Sequence, residues 1–151
     1  MELGRAKRLA LDLLARREYS RHELREKLIY KGCLAELADE VIADLEAGEL
    51  VSDVRFAETL ARVRRERGYG PLRIRKEMQD KGLGAEIIEQ CLDPNDSQWL
   101  EDIQRVRRKK FGTSVPKDYQ QRARQARFLQ YRGFTFDQIQ RVLSAGDVES
   151  V

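Results

Sequence analysis

The stretch YGPLRIRKEMQDKG, Tyr69 to Gly82, holds a helix start, a helix body and a helix stop. Gly70 suits the N-cap, and Pro71 suits the first helical position, where a missing N–H costs nothing. Ile74 and Met78 share one face at i, i+4. Lys81 favours the negative end of the helix dipole, and Gly82 suits the left-handed conformation that ends a helix. The same plan stands 50 residues upstream in YSRHELREKLIYKG, Tyr19–Gly32. Downstream, Tyr119 lies 50 residues after Tyr69, while Leu129, Arg132 and Gly133 repeat the ending at an offset of 51. Recurrence at this period is the mark of stacked supersecondary units.

Working outward, each copy gains a helix on either side. In the first, Ala6, Leu9, Ala10, Leu13 and Leu14 form an apolar stripe from about Leu3 to Arg17. Ser20 and Glu23 make a capping box for the next helix. A third helix, Leu34 to Ala47, turns Ala38, Val41, Ile42 and Leu45 inward, and Gly48 closes it. In the second copy, Ser52 or Asp53 caps a helix carrying Phe56, Leu60 and Val63, which ends in Arg62, Arg64, Arg65 and Arg67. A short helix with Ile87, Ile88, Cys91 and Leu92 follows Gly82. The linker Asp93-Pro94-Asn95-Asp96 leads to a third copy. There Trp99, Leu100, Ile103 and Val106 precede the basic run Arg105, Arg107, Arg108, Lys109 and Lys110. A longer loop, Gly112–Pro116, then a helix from about Asp118 to Arg132, a Thr135/Gln138 capping box and a helix with Ile139, Val142 and Leu143 complete it. The tail from Gly146 is expected to fray. No segment alternates as a strand would. The predicted fold is all-α: three three-helix, helix-turn-helix-like repeats at 1–49, 50–95 and 96–151, stacked into an elongated, curved molecule.

Of the 151 residues, 29 are Lys or Arg and 26 are Asp or Glu, so the chain is highly charged with a net of only +3. Residues 1–49 carry net −2, 50–95 net +1 and 96–151 net +4. This gradient points a polyanion or other polar ligand toward the C-terminal two-thirds. Cys33 and Cys91 are read as small buried thiols at matching repeat positions, unbridged in a reducing compartment. No apolar run approaches the ~20 residues of a membrane span, and no leader-like segment opens the chain. The expectation is a soluble cytoplasmic monomer.

Catalytic chemistry finds few footholds. The single histidine, His22, sits in a polar helix start, and no phosphate loop, zinc spacing or nucleophile elbow is present. Asp53 beside Arg55 is explained by helix capping. The chain is therefore read as a non-enzyme without metal or cofactor. The basic clusters are the candidates for binding: Arg25, Lys31, Arg64, Arg65, Arg67, Arg73, Arg75, Lys76, Lys81, Arg107, Arg108, Lys109, Lys110, Arg124, Arg127 and Arg132. In-register stacking would align them as a cationic edge for phosphates or an acidic protein surface. The predominance of Arg favours forked hydrogen bonds. Singly, each is better explained as a solvated face complementing a helix dipole. Tyr19, Tyr69 and Tyr119 could stack on bases, but packing where the first two helices of each copy meet is the expectation.

Three segments carry a resemblance: DVRFAETLARVRRERGYGPLRIRKEMQDKG (Asp53–Gly82), REYSRHELREKLIYKG (Arg17–Gly32) and RQARFLQYRGFTFDQI (Arg124–Ile139). They touch all three copies, and in combination they resemble the RecX regulatory proteins of bacteria. That resemblance implies binding to the RecA recombinase, chiefly its filament on single-stranded DNA. It implies that the protein lodges in the filament groove, limits growth, and suppresses strand exchange, ATP hydrolysis and the co-protease activity that triggers the SOS response. Direct binding to single-stranded DNA is expected to be weak at net +3. An alternative from the residues alone is a DNA-binding protein of tandem helix-turn-helix-like units. A helical-repeat adaptor for another partner is the blander reading.

Overall fold

A computed structural model describes residues 1–145, with the side chain of Ala145 and everything beyond it left out; the expected fraying from Gly146 lies outside the described residues. Nine helices and no strand occur among the described residues. They run α1 Leu3–Arg16, α2 Arg21–Tyr30, α3 Ala35–Ala47, α4 Asp53–Glu66, α5 Pro71–Asp80, α6 Ala85–Cys91, α7 Gln98–Phe111, α8 Tyr119–Tyr131 and α9 Phe136–Ala145.

Local chemistry explains most boundaries. Ser20 Oγ accepts from the Glu23 N–H at 3.1 Å while the Glu23 carboxylate accepts from the Ser20 N–H at 3.2 Å, so the capping box forms. Thr135 and Gln138 make the same reciprocal pair before α9. Pro71 opens α5, and Gly82 beyond its end has φ of 76°. At the end of α3, Gly48 is the C-cap, as expected, but the left-handed turn falls one residue later. Gly48 has φ of −88°, and Glu49 takes the left-handed turn at φ of 60°. Its cost is of order 1–2 kcal/mol for an L-residue. The Leu50 N–H reaches the Leu45 carbonyl at 2.9 Å, and the Arg55 guanidinium holds the carbonyls of Glu49 and Leu50.

The chain divides into two compact units, and the cut runs through the middle repeat. One unit is Met1–Thr59 with Met78–Ile88; the other is Leu60–Glu77 with the chain from Glu89 on. In the first, α1, α2 and α3 pack pairwise around Ala6, Ala10, Leu13, Leu24, Leu28, Ala38, Val41, Ile42 and Leu45. In the second, α7, α8 and α9 pack pairwise, burying Trp99, Ile103, Leu129, Ile139, Val142 and Leu143. The linker is tied down: Trp99 Nε1 donates to the Asp93 carbonyl at 2.9 Å, and Gln138 Nε2 to that of Pro94 at 3.3 Å.

Both cysteines are free thiols. They are not repeat equivalents. Cys33 follows the stop glycine Gly32, where the later repeats have Leu83 and Phe134, whereas Cys91 lies on α6, with Val142 its counterpart 51 residues on. Cys33 is buried and Cys91 half-buried, and burial pushes the Cys33 thiol up.

Candidate functional site

The charged residues fall into two groups: those consumed in holding the repeats together and those left on the surface. The first group explains the sequence signatures. In DVRFA, Ser52 caps α4 through Oγ to the Arg55 N–H at 3.2 Å. Asp53 is thereby released, and its carboxylate instead accepts the Arg21 N–H, at the start of α2, at 2.8 Å. Arg55 pairs with Glu18 through Nε at 2.6 Å and Nη2 at 3.2 Å, and this hydrogen-bonded partner raises its pKa further above the usual arginine value. Phe56 and Ala57 are buried. The motif is a stitch between the first repeat and the start of the second. Two neighbouring caps for one helix, Ser52 and Asp53, were the only sequence signal that one of them had another task.

A second stitch joins α2 to the end of α5. Ser20 is fully buried, and its hydroxyl donates to the Lys81 carbonyl at 2.7 Å. Lys81 Nζ meets Glu23 Oε2 at 2.8 Å, and Arg17 reaches the same carboxylate at 3.3 Å. Burial would raise the Glu23 carboxyl, but hydrogen bonds from Arg17, Lys81 and the Ser20 N–H outweigh it and hold the group below the usual carboxylate range. A Cβ on Gly82 would lie 2.4 Å from His22 Cβ.

The equivalent stitch in the second unit joins the start of α5 to the end of α8. Here backbone meets backbone: the Gly70 N–H donates to the Arg132 carbonyl at 2.8 Å, and the Leu72 N–H to the Gly133 carbonyl at 2.9 Å. A Cβ on Gly70 would lie 2.5 Å from the Gly133 carbonyl carbon, and one on Gly133 would lie 2.7 Å from the Arg73 nitrogen.

Of the cationic candidates, several belong to these internal links. Arg25 pairs with Asp39 at 2.7 Å. Arg64 grips Glu77 with two bonds, at 2.7 and 2.8 Å, which raise its pKa further. Arg65 lies 3.9 Å over the Trp99 ring and pairs with buried Asp102 at 2.7 Å. Arg132 Nη1 donates to the Arg67 carbonyl at 3.0 Å. Arg107 is corrected outright as a surface residue: it is 1% exposed, donating from Nε to Gln125 Oε1 at 2.9 Å and from Nη2 to the Ser114 carbonyl at 2.8 Å. Lys31, Arg67, Arg73, Lys76, Arg108, Lys109, Lys110, Arg124 and Arg127 are exposed, and Arg75 is half-buried.

The tyrosines also part company. Tyr19 is buried, with Arg17 3.7 Å over its ring. Tyr69 is half-buried, with Arg73 at 4.1 Å and Arg132 at 5.3 Å. Tyr119 does not pack; it is 83% exposed. Its spacing of 50 from Tyr69 is a coincidence of register, because the inserted residue puts Gln120 in the equivalent place before Gly133.

The charge separates with the units. Leu60–Glu77 and the part of the chain from Glu89 to Ala145 hold 18 basic against 9 acidic side chains, net +9; Met1–Thr59 with Met78–Ile88 holds 11 against 15, net −4. Among the described residues no group of histidines, cysteines and carboxylates is arranged to hold a metal, and no helix is long and apolar enough to cross a membrane.

Three family models match in succession: RecX, first three-helix domain, over residues 6–45; RecX, second three-helix domain, over 52–92; and RecX, third three-helix domain, over 96–143. The regulatory protein RecX of Pseudomonas putida (strain GB-1) is 43% identical over 143 residues, covering 95% of this chain and 92% of that protein. That of Halorhodospira halophila is 41% identical, covering 91% and 86%. In fold, the chain is similar to the crystal structure of RecX from Lactobacillus salivarius, with a TM-score of 0.85 at 22% identity and 97% of each chain covered. With all three domains matched in order and relatives above 40% identity along nearly the full length, the chain belongs to the RecX family of regulatory proteins.

Proposed function

We propose that this protein is a non-enzymatic regulator that binds the RecA recombinase filament on single-stranded DNA. It limits filament growth and so lowers strand exchange, ATP hydrolysis and co-protease activity, acting in the cytoplasm as a monomer. The observation that carries this reading is family membership along the whole chain, all three domains included. The division of charge supports it. Arg25, Arg64, Arg65, Lys81 and Arg107 are engaged within the fold, whereas Arg73, Arg75, Lys109 and Arg127 stand outward or half-outward for a partner.

The test is RecA-dependent ATP hydrolysis on single-stranded DNA, together with filament length seen directly. Sub-stoichiometric protein is expected to slow hydrolysis and shorten filaments. Unchanged hydrolysis and length at equal concentrations would refute the reading. Reversing Arg75, Lys109 and Arg127 to Glu is expected to weaken filament binding about tenfold or more, with helicity unchanged by circular dichroism. Direct binding to DNA without recombinase is the second reading, and the net +9 of the second unit favours it. Steeply salt-dependent binding to naked DNA in the absence of any effect on RecA would move the function there.

A further inference from the structure

The third repeat departs from the other two at one place. Helices α2 and α5 have 10 residues each, and α8 has 13. Tyr19 and Tyr69 stand 13 residues before Gly32 and Gly82, so α8 begins ahead of the common register, after a longer loop over 112–118. This loop is fixed from within. Buried Arg107 bonds the Ser114 carbonyl on the loop and Gln125 on α8, while the Lys117 N–H donates to Gln121 Oε1 at 2.9 Å. Arg107 thereby fastens the loop to α8 and fixes the position of this wall.

Two adjoining cavities open on that wall. One, of about 410 Å³, is lined by Lys110, Phe111, Lys117, Gln121 and Arg124. The other, of about 460 Å³, is lined by Tyr119, Gln120, Arg124 and Arg127, so Arg124 serves both. Helix α8 contains no acidic residue. Asp118 just before it is spent as the N-cap, accepting the Gln121 N–H at 2.8 Å. Among the described residues no carboxylate pairs with Lys110, Lys117, Arg124 or Arg127, in contrast to Arg64, Arg65 and Lys81. The Phe111 ring is held edge-on against Phe128, centroids 5.4 Å apart, with Arg124 5.5 Å from it.

We propose that this wall, Lys110 to Arg127, is a binding groove for single-stranded nucleic acid. Lys110, Lys117, Arg124 and Arg127 take phosphates, and Tyr119 stacks on a base. Unpaired cations interleaved with an exposed aromatic ring and the amides of Gln120 and Gln121 are what a flexible strand uses. An acidic peptide would use the cations and leave the ring idle. The inference deepens the proposed function by giving the protein its own hold on the strand, and it rests on that reading only for its biological setting.

The experiment is fluorescence anisotropy on a labelled oligothymidine of about 16 nucleotides, without recombinase, titrated with salt from about 50 to about 200 mM. The intact protein is expected to bind. The variant Lys110→Gln/Lys117→Gln/Arg124→Gln should lose about tenfold or more in affinity, and its slope of log affinity against log salt should fall by about 2, at about 0.7 per phosphate released. Tyr119→Ala should lose roughly five- to hundredfold with the slope unchanged. The conservative Arg127→Gln should lower the slope by about 0.7, which keeps the test open if the triple variant fails to fold. Neutralising exposed Lys7, Arg8 and Arg16 on α1 should change neither quantity.

The proposal is overturned if the intact protein does not bind the strand, or if the α1 control loses as much as the groove variants. It is likewise overturned if polyglutamate competes as well as DNA while Tyr119→Ala binds normally, which would mark an acidic-protein surface. Inhibition of RecA by a protein without strand affinity would sink this inference and leave the proposed function standing; strand binding without inhibition would do the reverse.

Discussion

The stitch between α2 and α5 and the stitch between α5 and α8 occupy the same place in the repeat, yet they are built differently. In the first, a side chain makes the bond: Ser20 Oγ to the Lys81 carbonyl, with His22 Cβ facing Gly82. In the second, Gly70 has no side chain, and two backbone amides bond directly to the carbonyls of Arg132 and Gly133. Removing one hydroxymethyl group lets the two segments approach until backbone replaces side chain. Gly32 after α2 has nothing within 4 Å of its missing Cβ, but the matching glycine after α5 and after α8 does two jobs. It takes the left-handed turn, and it leaves room for the neighbouring helix start.

This contrast can be broken at its glycines first. Gly133→Ala and Gly82→Ala should each destabilise the fold by about 3 kcal/mol, combining left-handed strain with a steric clash. Urea unfolding measures both. The two should then diverge on rescue. His22→Gly removes the atom that a Cβ on Gly82 would strike, so the double variant should recover part of the loss. Arg73→Gly should rescue Gly133→Ala far less, because the Arg73 backbone nitrogen remains in the way at 2.7 Å. Equal rescue at both places would show that the stitches are equivalent after all.

A smaller effect is expected at the caps. Ser20→Ala deletes an N-cap acceptor and the buried bond to Lys81, at a cost of about 2 kcal/mol. Gly70→Ser, which would import the first design into the second place, should destabilise too, because its Cβ meets Gly133 and Phe134 at 2.5 Å. A stabilised Gly70→Ser protein would contradict the geometry. Smallest is the pH response, which belongs to the first stitch alone. Glu23 has a folded pKa below its unfolded one, so its contribution is full above the unfolded value and is lost as pH falls through the folded value. The stability gap between the intact protein and Glu23→Gln should hold near neutral pH and shrink in acid, below the ordinary carboxylate range. A gap that widened in acid would invert the assignment.

Much of the fold was legible in the sequence because its signals are local. The Ser20/Glu23 and Thr135/Gln138 boxes, Pro71 opening α5, the stop glycines and the apolar stripes each act within a turn or two of chain. The candidate site was less legible. Arg107 looks like its neighbours Arg108 and Lys109, yet it is buried and bonded to the loop and to α8. Arg64 and Arg65 sit in a basic run, but their partners Glu77 and Asp102 lie in other helices. Tyr119 matched a spacing without sharing the environment, since one extra residue in the third repeat shifted the register.

By itself, the sequence determined that three copies of a helical trio would form, because caps, stops and periodicity are short-range properties of adjacent residues. Which charges would be spent inside was decided only by the tertiary structure. An ion pair depends on what lies within about 4 Å in space: Arg55 with Glu18 and Arg65 with Asp102, like the Arg21 backbone N–H with the Asp53 carboxylate, are joined across 32 to 37 residues of chain. The cations left over are the ones available to a partner.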